Sequence, residues 1–518
     1  MNESDVLIIG SGVAGCSAAL TAADAGLNVT LLTNAAKAEK GSNTSWAQGG
    51  IIHTGPEDSP DLLVKDVLAA GDSVVWEPAA RILAEEGPRR VAEILIERCR
   101  IPFDKQASGE LDLTEEGAHS VPRIIHVGDH TGQAIAEGLA AEVARTPGIT
   151  VIPNVTAVDL ILNSYHTDDP TDVYRPVRCL GAYVLDQKTG EVKPFVARET
   201  ILATGGLGQI YLHTTNPKRS RGDGLAMAYR AGARVINLEY VQFHPTAFYH
   251  RMAPRFLISE SLRGEGARLI NADGQEFAHK YHELGALASR DVVARAIHEE
   301  MLQTGEPCMF LDITHKNAEW VRSRFPLIHE FLLGWDIDIT KEPIPVTPAA
   351  HYSCGGVAVD ENGRTSINGL RAVGEVSCTG LHGANRLAST SLLEGLVWGT
   401  RAAHDIVKTA GAIRLANQAS ITPWKMETEE VDPALIKQDW MTIKQTMWNY
   451  VGLVRSNRRM HRALRILRGL QFDVETFYRR AALTDDMIGL RNGAQTALAL
   501  IHAALRNRTS RGSHYRVD

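Results

Sequence analysis

The sequence predicts an α/β fold: a Rossmann-like dinucleotide-binding domain, interrupted by an inserted α+β segment and followed by a C-terminal helical bundle. A strand–glycine–helix motif near residue 10 predicts the nucleotide domain, and a strand–Gly–Glu motif near residue 370 indicates that this domain resumes much later. Apolar residues at helical spacing after residue 410 predict the bundle. The chain of 518 residues is long enough for several domains.

Composition and charge count against several classes of protein. The net charge of −7 does not indicate binding to nucleic acid, and no apolar stretch approaches the roughly 18–20 residues of a membrane helix. The N-terminal MNESDVLIIG lacks the features of a signal peptide. The six cysteines are scattered and form no CxxC pair, so we expect no metal site and a reducing, cytoplasmic setting.

The first nucleotide motif is DVLIIGSGVAG, residues 5–15. VLII predicts a buried parallel strand. Gly10 makes the tight turn, Gly12 lets a pyrophosphate approach the backbone, and Gly15 lets the following helix pack against the strand. The alternative is a glycine turn without a ligand. The next strand, LNVTLLT, ends at Thr33 and Asn34 and not at an acidic residue, which argues against NAD.

The second motif is TSINGLRAVGE, residues 365–375, in which Glu375 follows a short strand. Ligands bind at that edge of a parallel sheet, although a solvated loop acid is the alternative. ILATGG (201–206) predicts another strand of the same sheet, and RGDGLAMA (221–228) opens a helix with Asp223 near its cap. We therefore predict a nucleotide domain at 1–239 and 351–410, an insertion at 240–350, and a helical domain at 411–518.

Four separated segments each place a cation or an imidazole beside small residues: His244 in QFHPT, Arg290 in ASRDVVARAI, His351 in HYSCGG and Arg386 in HGANRLASTS. Each has an ordinary interpretation. His244 could be a core histidine, and Arg290 could pair with Asp291 or cap a helix. His351 could begin a strand, and Arg386 could be a surface arginine. Arg386, however, has no carboxylate within five positions on either side. Such a cation indicates a site for an anion from outside.

Six motifs carry a specific resemblance: QFHPT, SLRGEG, SRDVVARAI, HYSCGG, GEVSCTGLHGANRLASTSLLEG and the early AQGG. Together they resemble the fumarate reductase/succinate dehydrogenase flavoprotein family, over nearly the whole chain and including a helix at MWNYVGLVRSNRR (447–459). The resemblance implies an FAD-binding domain with a capping domain at 240–350. It adds these expected FAD contacts: Ser11, Val13, Ala14, Asn34, Ser42, Asn43, Thr44, Ser45, Gln48, Gly49, Gly50, Ala203, Thr204, Gly205, Ser391 and Leu392.

The family acts on four-carbon dicarboxylates, and the resemblance implies roles for the residues above. His351 and Arg386 hold one carboxylate, while His244, Ser259 and Arg290 face the other; Gln242, Glu260 and Ser389 complete the expected site. Arg290 matches the proton-transfer arginine. Because arginine is a poor base, proton donation to fumarate is easier to explain than abstraction from the substrate. A purely charge-clamping role during oxidation stays open.

Two departures point to the branch of the family that oxidises L-aspartate to iminoaspartate, the first step of de novo NAD biosynthesis. Asn43 stands five residues before Gln48, where covalently flavinylated members have histidine, so FAD is expected to be non-covalent. Glu116, in LTEEGAHS, can face the α-ammonium of aspartate, although a solvated acid is the alternative. The resemblance further implies reoxidation by dioxygen or fumarate, giving hydrogen peroxide or succinate, and transfer of iminoaspartate to quinolinate synthase.

Other hypotheses stay open at this point. One is a soluble fumarate reductase or succinate dehydrogenase flavoprotein, against which Asn43 and Glu116 count. Another is a flavin-binding scaffold without turnover, against which the presence of two arginines (Arg290 and Arg386) and two histidines (His244 and His351) counts. Residues 455–516 hold thirteen arginines and four acids, which indicates either a solvated helix surface or a field that attracts anions.

Overall fold

The computed structural model describes residues 3–253 and 255–518. Its strands form four sheets. They are β1 Glu3–Ile9, β2 Val29–Leu32, β3 Ile51–Ile52, β4 Leu113–Thr114, β5 Ile124–Ile125, β6 Ile149–Ile152, β7 Val155–Leu162, β8 Cys179–Asp186, β9 Val192–Leu202, β10 Val235–Ile236, β11 Val241–Phe248, β12 Arg268–Ile270, β13 Met309–Asp312, β14 Ile344–Ser353, β15 Gly356–Ala358, β16 Leu370–Ala372 and β17 Ser377–Cys378.

The α-helices flank these sheets and dominate the C-terminal part. They are α1 Val13–Asp24, α2 Pro60–Ala70, α3 Glu77–Arg90, α4 Thr131–Arg145, α5 Asn163–His166, α6 Asp223–Arg230, α7 Glu260–Gly264, α8 Arg290–Thr304, α9 Ala318–Arg324, α10 Pro326–Leu333, α11 Thr390–Thr409, α12 Pro433–Val451, α13 Asn457–Tyr478 and α14 Asp485–Arg506. Within the described ranges, no helix has both the length and the apolar character needed to cross a membrane.

The central sheet has seven strands in the order β6-β2-β1-β9-β8-β7, with β16 also paired to β9. β6, β2, β1, β9 and β16 are parallel, whereas β8 and β7 continue the sheet antiparallel. The predicted strand VLII is fully buried between helical layers, as a parallel strand covered on both faces requires. α1 follows it directly and packs against α11, so the predicted Rossmann-like α/β fold is confirmed.

The inserted segment forms an antiparallel sheet, in the order β11-β14-β13-β12, with its own apolar core under α8 to α10. β14 runs on to Ser353, so the expected limit at residue 350 falls inside a strand. His351 therefore lies on this sheet, beside β11 and His244, which pairs with Ala349. Apart from this shift, the domain limits stay predictions.

The C-terminal helices α12, α13 and α14 pack together and share one apolar core with the central sheet. The predicted continuous helix at 447–459 is wrong, because α12 ends at Val451 and α13 begins at Asn457. Gly452 follows α12, and the Ser456 hydroxyl caps α13 by accepting from the Arg459 N–H. The break directs the fully buried Arg455 inward, where it donates to the Glu239 carbonyl at 2.7 Å.

Candidate active site

A large cavity lies at the carboxyl ends of the parallel strands β1, β2, β9 and β16. Nucleotides bind at this edge in open α/β sheets. Its opposite side is formed by residues of β11, β14, α8 and the segment before α11. The empty volume is about 1790 Å³, including space open to solvent. Residues expected to bind a nucleotide and residues expected to bind a dicarboxylate therefore border one common space.

The N-terminal glycines are required by close backbone contacts. Gly10 has φ +118°, and a Cβ there would lie 2.1 Å from the Ala203 carbonyl oxygen. A Cβ on Gly15 would lie 1.9 Å from the Gly10 carbonyl oxygen. Gly15 thus lets α1 pack against β1, and it does not border the cavity.

The cavity walls fit FAD. The N-termini of α1 and α11 both reach the cavity, and neither N-cap residue bonds the first turn through its side chain, so helix N–H groups can face an anion. Gln48 Oε1 and Thr204 Oγ1 are buried with no hydrogen-bond partner among the described residues. Buried polar atoms are normally satisfied, so a polar ligand in the cavity would supply the hydrogen bonds that these two atoms lack.

Glu375 lies on the same wall, directly after β16. Asn43 Nδ2 donates to Glu375 Oε2 at 2.5 Å, and the Ser353 N–H donates to Oε1 at 3.0 Å. Burial raises the pKa of Glu375 to about 7, more than its hydrogen bonds lower it. Asn43 occupies the position where a histidyl–flavin bond would form, and its amide is already engaged by Glu375 and by the Ser220 hydroxyl.

Arg386 is a buried cation that forms no ion pair among the described residues. It is 5% exposed, lies 4.6 Å from the centre of the Tyr352 ring, and donates from Nη1 to the Ser391 hydroxyl at 3.0 Å. Its Nε is buried without a hydrogen-bond partner in that part of the chain. Burial, and next the nearby Arg290, lower the pKa of Arg386 to about 10. The guanidinium is thus available to an anion in the cavity.

His244 and His351 face each other from neighbouring strands, with ring centres 5.2 Å apart. His244 Nδ1 accepts from the Thr246 N–H at 3.3 Å, which leaves its proton on Nε2. His351 Nδ1 lies 2.8 Å from the Thr215 hydroxyl. Burial, reinforced by nearby arginines, holds the pKa of both imidazoles well below its usual range. Both rings are therefore neutral near pH 7.

Arg290 begins α8 and reaches a carboxylate on another helix. Its Nε donates to Glu260 Oε2 at 2.5 Å, whereas its neighbour Asp291 pairs with Arg295 at 2.9 Å. Arg263 also approaches Glu260, at 3.4 Å. Burial raises the pKa of Glu260, but Arg290 and Arg263 outweigh it, and the net pKa is lowered. The pairing of Arg290 with Asp291 is thus excluded as the alternative.

Glu116 also borders the cavity, between the cofactor wall and the cationic cluster. Its Oε2 accepts from the Ser389 hydroxyl at 2.7 Å, and Gly49 approaches so closely that a Cβ there would lie 2.7 Å from Oε1. Loss of bulk solvent raises the pKa of Glu116, opposed by Arg290. Of the two carboxylates expected in the dicarboxylate site, Glu260 pairs with Arg290, whereas Glu116 forms no ion pair with an arginine among the described residues.

Comparisons with known proteins agree with this arrangement. The FAD binding domain family matches residues 5–392, and the fumarate reductase flavoprotein C-terminal family matches residues 441–518. The L-aspartate oxidase of Pseudomonas aeruginosa is 43% identical over 524 residues, covering 100% of this chain and 95% of that protein. The L-aspartate oxidase of Yersinia pestis is 43% identical over 518 residues, covering 99% and 96%. The chain belongs to the L-aspartate oxidase family.

Solved structures of similar proteins show the same fold. The E. coli quinol fumarate reductase structure has a TM-score of 0.88 at 27% identity, covering 100% of this chain and 91% of that one. A Mycobacterium smegmatis Sdh1 structure has a TM-score of 0.83 at 29% identity, covering 99% and 89%. As in its family, the cofactor of this L-aspartate oxidase homologue is FAD, bound without a covalent link.

Most of the residues expected to bind cofactor or substrate border the cavity. They are Gly10, Ser11, Gly12, Val13, Ala14, Asn34, Ser42, Asn43, Thr44, Gln48, Gly49, Gly50, Glu116, Ala203, Thr204, Gly205, Asp223, His244, Ser259, Glu260, Arg290, His351, Glu375, Arg386, Ser389, Ser391 and Leu392. Their individual roles stay predictions.

Besides Gly15, two expected contacts lie off the cavity wall. Ser45 donates to the Ser42 carbonyl at 2.9 Å and shapes the turn before AQGG. Gln242 is fully buried; its Nε2 donates to the Arg386 carbonyl at 2.8 Å, and its Oε1 accepts from Arg290 Nη1 at 3.3 Å. Ser45 and Gln242 therefore position other groups in this structure, and their direct contact with a ligand stays a prediction.

Sequence reasoning missed part of the wall. The missed residues include Trp46, Thr215, Asn216, Arg219, Ser220 and Tyr352. Thr215 and Asn216 hold His351, through its Nδ1 and its carbonyl oxygen. Their segment carries no motif that signals this contact. Tyr352 could have been found, because it stands next to His351 in HYSCGG.

Proposed function

We propose that this protein oxidises L-aspartate to iminoaspartate with FAD. One observation carries the proposal: a buried arginine that forms no ion pair among the described residues, neutral imidazoles and the carboxylate of Glu116 border the same cavity as the FAD wall. When bound, FAD supplies the redox chemistry by accepting the two electrons that the substrate loses. The side chains supply binding and orientation.

The cationic cluster suits a molecule with a carboxylate at each end. Arg386 and His351 would hold one carboxylate, and His244, Ser259 and Arg290 the other. Arginine gives a carboxylate two parallel hydrogen bonds, and a neutral histidine adds a donor without repelling the neighbouring arginine. Fixing both ends fixes the central carbons against the cofactor wall, which lowers the entropic part of the barrier.

Arg290 is proposed to give a proton to fumarate when that dicarboxylate is reduced. Its Nε is held by Glu260, and Gln242 accepts from its Nη1, so the guanidinium has a fixed direction. During aspartate oxidation, we assign Arg290 the role of a charge clamp, because a guanidinium that is already protonated cannot accept a proton from the substrate.

Glu116 separates the aspartate proposal from its rival, a fumarate reductase or succinate dehydrogenase flavoprotein. Aspartate, fumarate and succinate share both carboxylates, and only aspartate carries an ammonium group. A carboxylate without an arginine partner can bind that ammonium, whereas it repels a dianion that has no cation. The position of Glu116 on the cavity wall therefore supports aspartate.

Anaerobic mixing tests the proposal directly. The flavin absorbance should bleach with L-aspartate and stay unchanged with succinate and with amino acids that have one carboxylate. Bleaching by succinate alone would favour the rival, and no bleaching with any of these compounds would favour a scaffold without turnover. Because the FAD is non-covalent, acid should release it into solution after the assay.

Substitution of Glu116 by Gln should damage aspartate oxidation far more than fumarate reduction. Glutamine keeps the size and an acceptor but loses the charge, and a charged hydrogen bond is worth about 1.5–3 kcal/mol against roughly 1 for a neutral one. We expect a loss on the order of tenfold in kcat/KM for aspartate. Both reactions are measured on one preparation with matched flavin content. Equal losses would mean that Glu116 supports the site's structure and does not bind the amine.

The proposal also covers the electron acceptor, the cellular compartment and the pathway of the reaction. Dioxygen or fumarate would reoxidise the enzyme, giving hydrogen peroxide or succinate. We place the reaction in the cytoplasm, as the first step of de novo NAD biosynthesis, with iminoaspartate passing to quinolinate synthase. Product analysis with dioxygen and with fumarate as competing acceptors tests the first of these statements.

A further inference from the structure

The loop that carries Glu116 is held by a buried network that the proposed chemistry does not use. The loop joins β4 to β5 and contains Ala118, whose φ of +68° is rare for a residue with a side chain. Gly117 is pressed against Glu260, so that a Cβ there would lie 2.4 Å from Glu260 Oε1. A loop in this conformation needs strong anchors.

Arg123 and His119 provide these anchors. Arg123 is fully buried, and its guanidinium is fixed by Asp66 at 2.6 Å and Asp58 at 2.9 Å. Asp66 also accepts from the backbone N–H and the hydroxyl of Ser120. Arg123 Nη1 lies 3.3 Å from His119 Nδ1, and His119 is 6% exposed.

This contact fixes the tautomer of His119. A guanidinium can only donate, so Nδ1 must accept and the ring proton lies on Nε2. His119 Nε2 is 3.1 Å from the Ala388 carbonyl oxygen and therefore donates to it. Arg123 thus donates to Asp66 on α2 and to His119, and His119 donates to Ala388, so hydrogen bonds connect α2 to the segment that precedes α11.

The far end of this chain lies beside the site. Ser389, the next residue, has φ +57°, and its hydroxyl donates a hydrogen bond to Glu116 Oε2. The Glu116 loop therefore meets the 388–389 segment twice, through His119 on Ala388 and through Glu116 on Ser389. The two contacts hold the carboxylate at a fixed spacing from the segment that also carries Arg386.

We propose that His119 is a positioning residue for amine recognition: its Nε2–H bond to Ala388 holds Glu116 where the α-ammonium of a dicarboxylate substrate lies. This inference rests on the proposed role of Glu116. Arg386 itself is held through its backbone by Gln242 and through its side chain by Ser391, independently of His119. Loss of the His119 contact thus affects a substrate with an amine more than one without.

The test compares His119→Gln with His119→Asn. Both are neutral amides, but only glutamine places a nitrogen near the position of Nε2. We expect His119→Gln to keep aspartate kcat/KM within about threefold, and His119→Asn to lose on the order of tenfold. Fumarate reduction should change less than about threefold in both. Equal aspartate activity in the two variants, at matched flavin content, would overturn the inference.

A double-mutant cycle shows whether His119 acts through Glu116. In a Glu116→Gln background, His119→Asn should cost less than about twofold further in aspartate kcat/KM, since residues that act as a unit are not additive. A second tenfold loss would overturn the inference and leave the proposed function standing. Failure of the Glu116→Gln single variant to discriminate aspartate from fumarate would instead refute the proposed recognition of the amine.

Discussion

The cavity has two halves that differ in the residues that line them: a cofactor half beside Gly10 and Glu375, and a dicarboxylate half beside His244, Arg290 and Arg386. The cofactor half includes closely packed glycines, such as Gly10, which directly follows the parallel strand β1. The dicarboxylate half consists of charged and imidazole side chains from segments far apart in the chain. The first half is therefore sensitive to added atoms and the second to altered charge. Substitutions that add one carbon or remove one charge separate these sensitivities.

The largest effect is expected for Gly10→Ala, which adds one carbon to the cofactor half. The new Cβ would lie 2.1 Å from the Ala203 carbonyl, a backbone atom that cannot move without disturbing β9. We expect loss of almost all bound FAD, measured by the absorbance of the purified protein.

Gly26→Ala is the matched control. Gly26 also has a positive φ, of +84°, but nothing lies within 4 Å of the position of a Cβ. It should cost only the strain of the left-handed conformation, about 1–2 kcal/mol of stability, and keep its FAD. If Gly10→Ala binds FAD as well as Gly26→Ala does, the close approach to Ala203 is not essential.

Arg386→Leu is expected to have the next largest effect, in the dicarboxylate half. It removes the unpaired cation, and truncating one partner of a buried charge pair costs about 2–5 kcal/mol, or roughly 30- to several-thousand-fold in turnover. Aspartate oxidation and fumarate reduction should both fall, because both substrates carry the carboxylate. FAD content should not change.

The control for this variant is Arg81→Leu, at an arginine on α3 whose side chain is 43% exposed and paired with Asp61. It should keep near-normal turnover. If Arg386→Leu also keeps near-normal turnover of both dicarboxylates, Arg386 is an ordinary structural arginine, and the assignment of the carboxylate site is wrong.

The same contrast explains what could be predicted from the sequence. The cofactor half follows from local patterns, since VLII and Gly10 lie within one short motif and the strand order places Ala203 and Glu375 beside it. In the dicarboxylate half, the lack of carboxylates near Arg386 in the sequence indicated an anion site, but the roles of the other residues could be assigned only through family resemblance. Thr215, for example, holds His351 from 136 positions away, and no spacing rule predicts that contact.

Local irregularities account for the other differences. A register shift between Gln242 and Phe243 breaks the simple alternation of β11, and the sequence does not show which side chains then face the cavity. The break between α12 and α13 depends on the burial of Arg455, a tertiary contact. Helical periodicity continues across it, which is why a continuous helix was predicted there.

The smallest expected effect concerns pH, and it has opposite signs in the two halves. In the cofactor half, burial raises the pKa of Glu375 to about 7, while Arg386 opposes and Glu394 adds to the shift. The folded state then holds a proton that the unfolded state has lost, so this group's stabilisation fades as pH rises from about 4.5 to 7. Beside the dicarboxylate half, burial and then Arg123 lower the pKa of His119 to about 4, against Asp66 and Glu260. The unfolded state then binds the extra proton, so stability rises with pH from about 4 to 6.5.

Between pH 5 and pH 6.5 the two effects are each about 1.5–2 kcal/mol and largely cancel, because one pKa unit corresponds to about 1.4 kcal/mol. Glu375→Gln removes the term that falls with pH, so the unfolding free energy of that variant should rise more steeply with pH than that of the parent protein. His119→Gln removes the term that rises with pH, so the unfolding free energy of that variant should rise less steeply with pH than that of the parent protein, or fall.

Denaturant titrations on protein stripped of FAD measure both slopes without contacts from the cofactor to Glu375. If both variants keep the slope of the parent protein, neither group is held away from its ordinary pKa. If both substitutions change the pH slope of the unfolding free energy equally and in the same direction, the two halves do not differ in the charge state that they stabilise. They would then differ only in how tightly their atoms are packed.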